Sequence, residues 1–461
     1  MNFINRTGNT VYLQDIDRNI PFDGNKRQSI GADEIKKSKS FQQMVKMGVF
    51  EIAEYDDKVR IEGNMFRQAN TIQNKKIENK VEDTKTTSSK LQVKIKGHIY
   101  DAGGYAKVNR NLAIGLRDAD VDVCIDPLGG LRNDLNDKEL KQLAPMLKKA
   151  RNDCISIDSI VPTFGQESFG RHKILYTTVE SSTIPSQFID SAKLYNEVWT
   201  TSDFCKSVLE KNAINNVRVF PDSIDVDLYE PSGEKYEFSP KLNKFVFVSV
   251  FGWSYRKGYD ALLKAYLSEF DGDDDVSLLL VSRMTGGNNA KIKMEVQKYI
   301  DKYGGSNPAH IVRCSKVIPE HKMPELYRAC DAYVCLSRGE GFNIPACEAS
   351  LCGLPIIATN YSGHTMFLKK DNSELVDIDA LETLQTGLMH VHYWDGQRFP
   401  SLKSQKFIDS ASKSLRFVYE NYDQCRDRNN KLSSFIRENY AIDVVAQKVK
   451  ARLLQIKEKL C

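Results

Sequence analysis

The stretch Ser337-Arg338-Gly339-Glu340-Gly341-Phe342-Asn343-Ile344-Pro345-Ala346-Cys347-Glu348-Ala349-Ser350 decides the reading of this chain. It lies between two apolar runs, DAYVCLS (331–337) and LPIIATN (354–360), that read as strands. Asn343 suits a helix N-cap, Pro345 fits the first turn, where its missing N–H is no loss, and Gly353 stops the helix. Strand, turn, short helix, strand is the grammar of a parallel α/β sheet, whose ligands bind at the carboxyl ends of the strands. The amides after Gly341 then open a helix whose dipole favours an anion or a hydroxyl. Glu340 sits in the mouth of the turn, and Glu348 projects from the helix about one turn in. One carboxylate can accept hydrogen bonds from sugar hydroxyls while the other clamps a diol such as a ribose. Taken singly, a solvated loop acid and a complement to the helix dipole would account for them.

The same domain begins with FGWSYRKGYDALLKAY (251–266): a strand, a loop carrying Arg256, Lys257 and Gly258, then a helix. Two adjacent cations at a strand-to-helix turn suit a diphosphate, which needs positive charge and free helix amides. A pair of solvated surface charges is the alternative. Between the two stretches, VSLLLVSR, AKIKMEVQKYIDKY, HIVRCSKVI and MPELYRAC continue the alternation of strand and helix.

Taken together, Lys257-Gly258 after the first strand, Glu340-Gly-Phe-Asn-Ile-Pro-Ala-Cys-Glu348, and Gly353-Leu-Pro355 before a strand resemble the family 4 glycosyltransferases of GT-B fold. The resemblance covers roughly residues 91–461 and is most specific in the second domain. It implies two Rossmann-like parallel-sheet domains facing a cleft. It also implies transfer of a sugar from a nucleotide-sugar donor, UDP-linked, with retention of configuration, through an E-x7-E pair and without a metal. Carried over, Glu340 would contact the donor sugar, Gly341, Phe342, Asn343 and Ile344 would offer backbone amides, and Glu348 would hold the ribose. Lys257 with Arg256 would neutralise the leaving diphosphate. There are departures. The family's arginine five residues before the lysine is replaced by Gly252, so Arg256 stands in for it. In place of a first-domain histidine, YTTVESSTIP (176–185) offers Glu180, a candidate contact to sugar or acceptor.

In the first domain, DAGGYAKVNR (101–110) follows the strand LQVKIKGHIY (91–100) and opens a helix. Gly103 and Gly104 let the backbone approach a ligand, and the helix start can meet phosphate or acceptor. Asp122 or Asp126 stands about where an NAD site places its acid, but the fingerprint G-x-G-x-x-G is missing. DGDDD (271–275) lacks the glycine and glutamate of a calcium loop and reads as an acidic turn. His390 and His392 fall on different helix faces, which argues against a metal site. His364 lies at the cleft edge or is a structural histidine.

The 461 residues therefore divide into a small α+β module (1–70), a linker (71–90), an acceptor domain (91–235), a donor domain (243–430) and a C-terminal segment (431–461). In the last, Val445, Val449, Leu453, Ile456 and Leu460 recur at helical spacing and would pack back on the first domain. The module reads as strand 10–16, helix 32–48 and strand 49–55. Its pattern is similar to small modules of phage virion-associated proteins, and a spacer or oligomerisation module fits it equally. The linker, TIQNKKIENKVEDTKTTSSK, is too polar to fold alone.

Net charge is +4, with 65 basic and 61 acidic residues, which gives no ground for a nucleic-acid surface. Ten cysteines without a CxxC pair point to buried thiols in a reducing compartment, and no run is long enough to span a bilayer. The expectation is a cytoplasmic glycosyltransferase without cofactor, the nucleotide-sugar being a co-substrate. Its acceptor is open among polysaccharide, lipid, protein and modified DNA base, and residues 1–70 are the place for an oligomer or partner contact. The rivals are an epimerase or phosphorylase of the same fold and a non-catalytic protein on the same scaffold.

Overall fold

The computed structural model describes residues 90–128, 135–162, 170–283, 289–384 and 396–460, and the backbone of five short strands before residue 55. Of those five, Asn2–Asn5 pairs antiparallel with Gln28–Ser29 and with Phe50–Glu54, and Val11–Leu13 pairs with Arg18–Ile20. The expected helix 32–48, residues 71–89 of the expected linker, and His390 and His392 lie outside the described residues.

The first domain is a six-stranded sheet. In chain order its strands are β1 (Gln92–His98), β2 (Asp122–Leu128), β3 (Ile155–Ser159), β4 (His172–Tyr176), β5 (Glu197–Thr200) and β6 (Val217–Val219). They lie in the order β6-β5-β4-β3-β1-β2, all parallel. Helix α1 (Gly104–Asp118) follows β1, and its polar residues tie the strand end down. Asn109 Nδ2 donates to the His98 carbonyl at 2.9 Å and Arg110 Nη1 to the Ile99 carbonyl at 2.8 Å.

The second sheet also has six strands: β7 (Phe245–Gly252), β8 (Val276–Arg283), β9 (His310–Cys314), β10 (Ala332–Cys335), β11 (Ile356–Thr359) and β12 (Glu374–Val376). The order is β9-β8-β7-β10-β11-β12, all parallel. The runs FVFVSVFG and VSLLLVSR are apolar almost throughout because helices cover both faces of such a sheet, leaving no solvated side to alternate with. The strand order reverses between β7 and β10, so the segments leaving these two neighbours diverge and open a crevice at their carboxyl ends. Both motifs follow these two strands.

The chain crosses back late. A helix at Tyr422–Tyr440 packs on the second domain, where Asn429 Nδ2 donates to the Ser350 carbonyl at 2.9 Å. The expected boundary at 430/431 therefore falls inside one continuous helix, which Leu432, Ile436 and Tyr440 carry on in apolar phase without glycine or proline. The return comes at Ala441, bridged to Ile224, and the helix Ile442–Leu460 then lies on α1. There Gly115 permits close approach: a Cβ on it would stand 2.8 Å from Ile442 Cγ2. Val445, Val449, Leu453 and Ile456 are buried in that contact, and Arg452 pairs with Glu197 at the end of β5 nearest the helix. Among the described residues no helix is long and apolar enough to cross a membrane.

Candidate functional site

After β7 the chain makes a short 3₁₀ turn, Tyr255–Lys257, and enters helix α2 (Tyr259–Glu269) through Gly258. Gly258 has φ +66°, and a Cβ there would stand 1.7 Å from the Leu336 carbonyl oxygen, so only glycine fits. The loop is thereby pressed against the one after β10. A second tie is Arg338, whose side chain has no solvent exposure. Its guanidinium makes two 2.7 Å contacts with Asp260 in α2, donates to the Tyr255 carbonyl at 2.7 Å, and lies 3.6 Å from the centre of the Tyr255 ring.

Within this frame Glu340 is buried, and Lys257 Nζ approaches both its oxygens at 2.7 and 2.8 Å. Arg256 Nη1 stands 3.4 Å from the same carboxylate and donates to the Gly339 carbonyl at 2.5 Å. The other arm of Arg256 reaches across to Glu180 of the first domain at 2.9 Å. Burial works against the charged form of Glu340, but Lys257 and then Arg256 outweigh it and hold the carboxyl down to about 2. At Glu180 burial wins over Arg256, and the Glu340 charge adds to it, so its pKa is raised. Two carboxylates and two cations thus meet where the domains face each other.

Helix α3 (Ile344–Leu351) begins next to this cluster. Asn343 is its N-cap residue, but with φ +90° and ψ +64° its side chain makes no capping bond, because the left-handed backbone turns it away from the first amides. Phe342 faces the core, its ring 5.1 Å from Phe367 and 5.0 Å from Tyr440, so only its backbone is available to a ligand. Ile344 is also buried. Gly341 touches the first domain: Thr201 Oγ1 donates to its carbonyl at 2.9 Å, and a Cβ on it would stand 1.6 Å from Thr178 Oγ1.

Glu348 is not part of the Glu340 cluster. It is buried against Lys107 of α1, which contacts its Oε1, and Tyr327, whose hydroxyl donates to Oε2 at 2.9 Å. Gly103, the N-cap residue of α1, and Gly104, its first residue, are exposed, with the Gly103 amide on Asp101 Oδ1 at 2.7 Å. His364 is fully buried and its Nε2 meets the Thr359 carbonyl at 2.5 Å, a structural placement in which burial lowers its pKa. In DGDDD, Asp274 pairs with Arg416 and Asp273 accepts from Asn307, as in a surface turn. Among the described residues no group of three or more His, Cys, Asp or Glu is placed to hold a metal.

Sequence reading passed over Lys107, Tyr327, Arg338, Asp260, Thr178 and Thr201. Arg338 and Lys107 lie inside the quoted motifs, yet nothing in a sequence tells a buried, paired cation from a solvated one. The two threonines matter only through a contact between domains.

Residues 243–390 match the family Glycosyl transferases group 1. A D-inositol 3-phosphate glycosyltransferase of Catenulispora acidiphila is 26% identical over 144 residues, which is 30% of this chain and 34% of that protein. HepE of Anabaena, solved with UDP and glucose, superposes with a TM-score of 0.53 at 14% identity, over 79% of this chain and 100% of that one. Sucrose-phosphate synthase of Thermosynechococcus elongatus gives 0.57 at 14% identity, over 80% of this chain and 100% of that one. Two facing six-stranded parallel sheets with the reversal at β7 and β10 are the GT-B fold of the glycosyltransferases, and residues 243–390 carry the group 1 match within it.

Proposed function

We propose that this chain is a glycosyltransferase that moves a sugar from a UDP-linked donor to an acceptor, with retention of configuration and without a metal. The observation that carries the reading is the cluster of Glu340, Lys257 and Arg256 at the strand-order reversal, facing Glu180 across the cleft. The group 1 match over the same domain supports it, as does the fold shared with HepE, whose structure holds UDP and glucose.

In this reading the bond between the anomeric carbon and the diphosphate oxygen breaks, its electron pair stays on the diphosphate, and an acceptor hydroxyl oxygen bonds to the same face of the sugar while its proton passes to the departing diphosphate. Lys257 and Arg256 offset the charge that develops on the leaving group. Glu340 holds the sugar, the backbone from Gly341 to Ile344 and the loop at Gly103 and Gly104 meet the donor's polar groups, and Glu348 receives the ribose hydroxyls. Glu180 meets the sugar or the acceptor. Among the described residues nine cysteines are free of disulfides and all but Cys314 are buried, which supports a cytoplasmic location. Residues 1–70, with strands of their own, serve an acceptor or a partner chain.

A panel of nucleotide-sugars tested for thermal stabilisation and turnover, with the anomeric configuration of the product read by NMR, decides the matter. Stabilisation by UDP-sugars and a retained anomer are expected. An inverted product would remove the mechanism, and epimerised donor without acceptor would replace transfer with the rival activity.

A further inference from the structure

Lys107 stands one turn into α1 of the first domain, and its ammonium reaches into the second. It contacts Glu348 Oε1, lies 2.8 Å from Glu320 Oε1, and donates to the Tyr229 hydroxyl at 2.9 Å. An ammonium has three hydrogens, so three acceptors engage all of them. The site is shielded from solvent: the side chains of Lys107, Glu348 and Glu320 are 11%, 5% and 18% exposed. Arg110, one turn further along α1, takes the other oxygen of Glu320 at 2.8 Å. Glu320 is thus held by two first-domain cations, and Glu348 by one donor from each domain, Lys107 and Tyr327.

A carboxylate offers about four acceptor positions. Lys107 and Tyr327 each take one at Glu348, which leaves two acceptor positions unused by these donors while fixing the plane of the group. Opening the cleft would strip Lys107 of both carboxylates and leave Glu348 with Tyr327 alone. Opening exchanges these direct charge-assisted contacts for water, so the bond favours the closed arrangement to the extent that three acceptors on one ammonium outweigh that hydration.

We propose that Lys107 is a positioning residue for Glu348: the first domain supplies the cation that orients the acid meeting the nucleotide's ribose, so the nucleotide site is complete only while the two domains are closed. The assignment rests on the reading of Glu348 given under the proposed function. A ligand that uses Glu348 binds the closed form better and shifts the molecule toward it.

The test uses the full chain, UDP as the probe, and the variants Lys107→Met, Lys107→Arg, Glu348→Gln and Lys107→Met/Glu348→Gln, each checked for folding by thermal melting. Calorimetry is expected to show UDP weakened about tenfold or more by Lys107→Met, the scale of losing a bond to a buried charged group, and largely restored by Lys107→Arg. The double variant is expected to bind no more weakly than Glu348→Gln, because Lys107 acts through that carboxylate. Losses that multiply would mean that Lys107 touches the nucleotide itself and would overturn the assignment, as would wild-type affinity in Lys107→Met. Small-angle scattering without nucleotide gives a separate readout: a larger radius of gyration for Lys107→Met is expected, and an unchanged one refutes the coupling to closure. If the wild type binds neither UDP nor another nucleotide, the ribose reading of Glu348 falls, and scattering alone judges whether Lys107 ties the domains.

Discussion

Arg338 and Asp260 form a two-pronged ion pair, both contacts 2.7 Å, that binds the loop after β10 to the helix after β7. The pair sets the distance between the two loops that carry Glu340 and Lys257. Removing one partner from a buried pair leaves the other charge without compensation. Arg338→Met is expected to cost about 3–5 kcal/mol of stability by denaturant unfolding. The double variant Arg338→Met/Asp260→Asn is expected to recover part of it. A single variant as stable as the wild type would show that the pair contributes nothing.

Glu340 is expected to act on the sugar and Lys257 on the leaving group. Glu340→Gln should leave UDP affinity nearly unchanged while slowing transfer at least tenfold, roughly 1.4 kcal/mol in barrier. Lys257→Ala should slow transfer and weaken UDP together, and a chelator should leave the wild-type rate as it is. Wild-type turnover in Glu340→Gln, or a rate abolished by chelation, would remove these roles.

Acid should destabilise the chain through Glu340 and Glu320, both held down to about 2 against burial, Glu340 by Lys257 and Arg256, Glu320 by Lys107 and Arg110. The folded carboxyls ionise below the ordinary 4.5, so their contribution is fully present above pH 4.5 and is lost as pH falls from there through about 2. Urea unfolding followed across that window should show a shallower loss in Glu340→Gln and in Glu320→Gln. Identical slopes in wild type and variants would mean that other groups govern acid stability.

Gly341→Ala should hold the domains apart, because the added Cβ would stand 1.6 Å from Thr178 Oγ1. The expected result is a folded protein with a larger radius of gyration and little transfer activity. Adding Thr178→Ala removes Oγ1 and the methyl group and should restore part of both. Full activity in the single glycine variant would show that closure here is not needed.

The alternation of apolar runs with helical patterns, the order of elements and the place of the two motifs were legible in the residues, since each depends on periodicity and on turn chemistry along a few neighbouring positions. That is why β7, β10 and α3 emerge close to where the runs FVFVSVFG, DAYVCLS and IPACEASLC lie. Charge and chemical type at Glu340, Lys257 and Glu348 were legible for the same reason. What only the tertiary structure decided is which of these groups meet. The acids eight positions apart separate into two environments, Glu340 with Lys257 and Arg256, Glu348 with Lys107 and Tyr327. Lys107 and Glu348 are 241 positions apart, and no local pattern encodes a contact made by closing two domains over a cleft. The same holds for Asn343, whose residue type fits a capping bond while the packing of its loop imposes the left-handed backbone that prevents one. Pairing and burial set the charge state of a group, and both arise from long-range packing rather than from the neighbours in the chain.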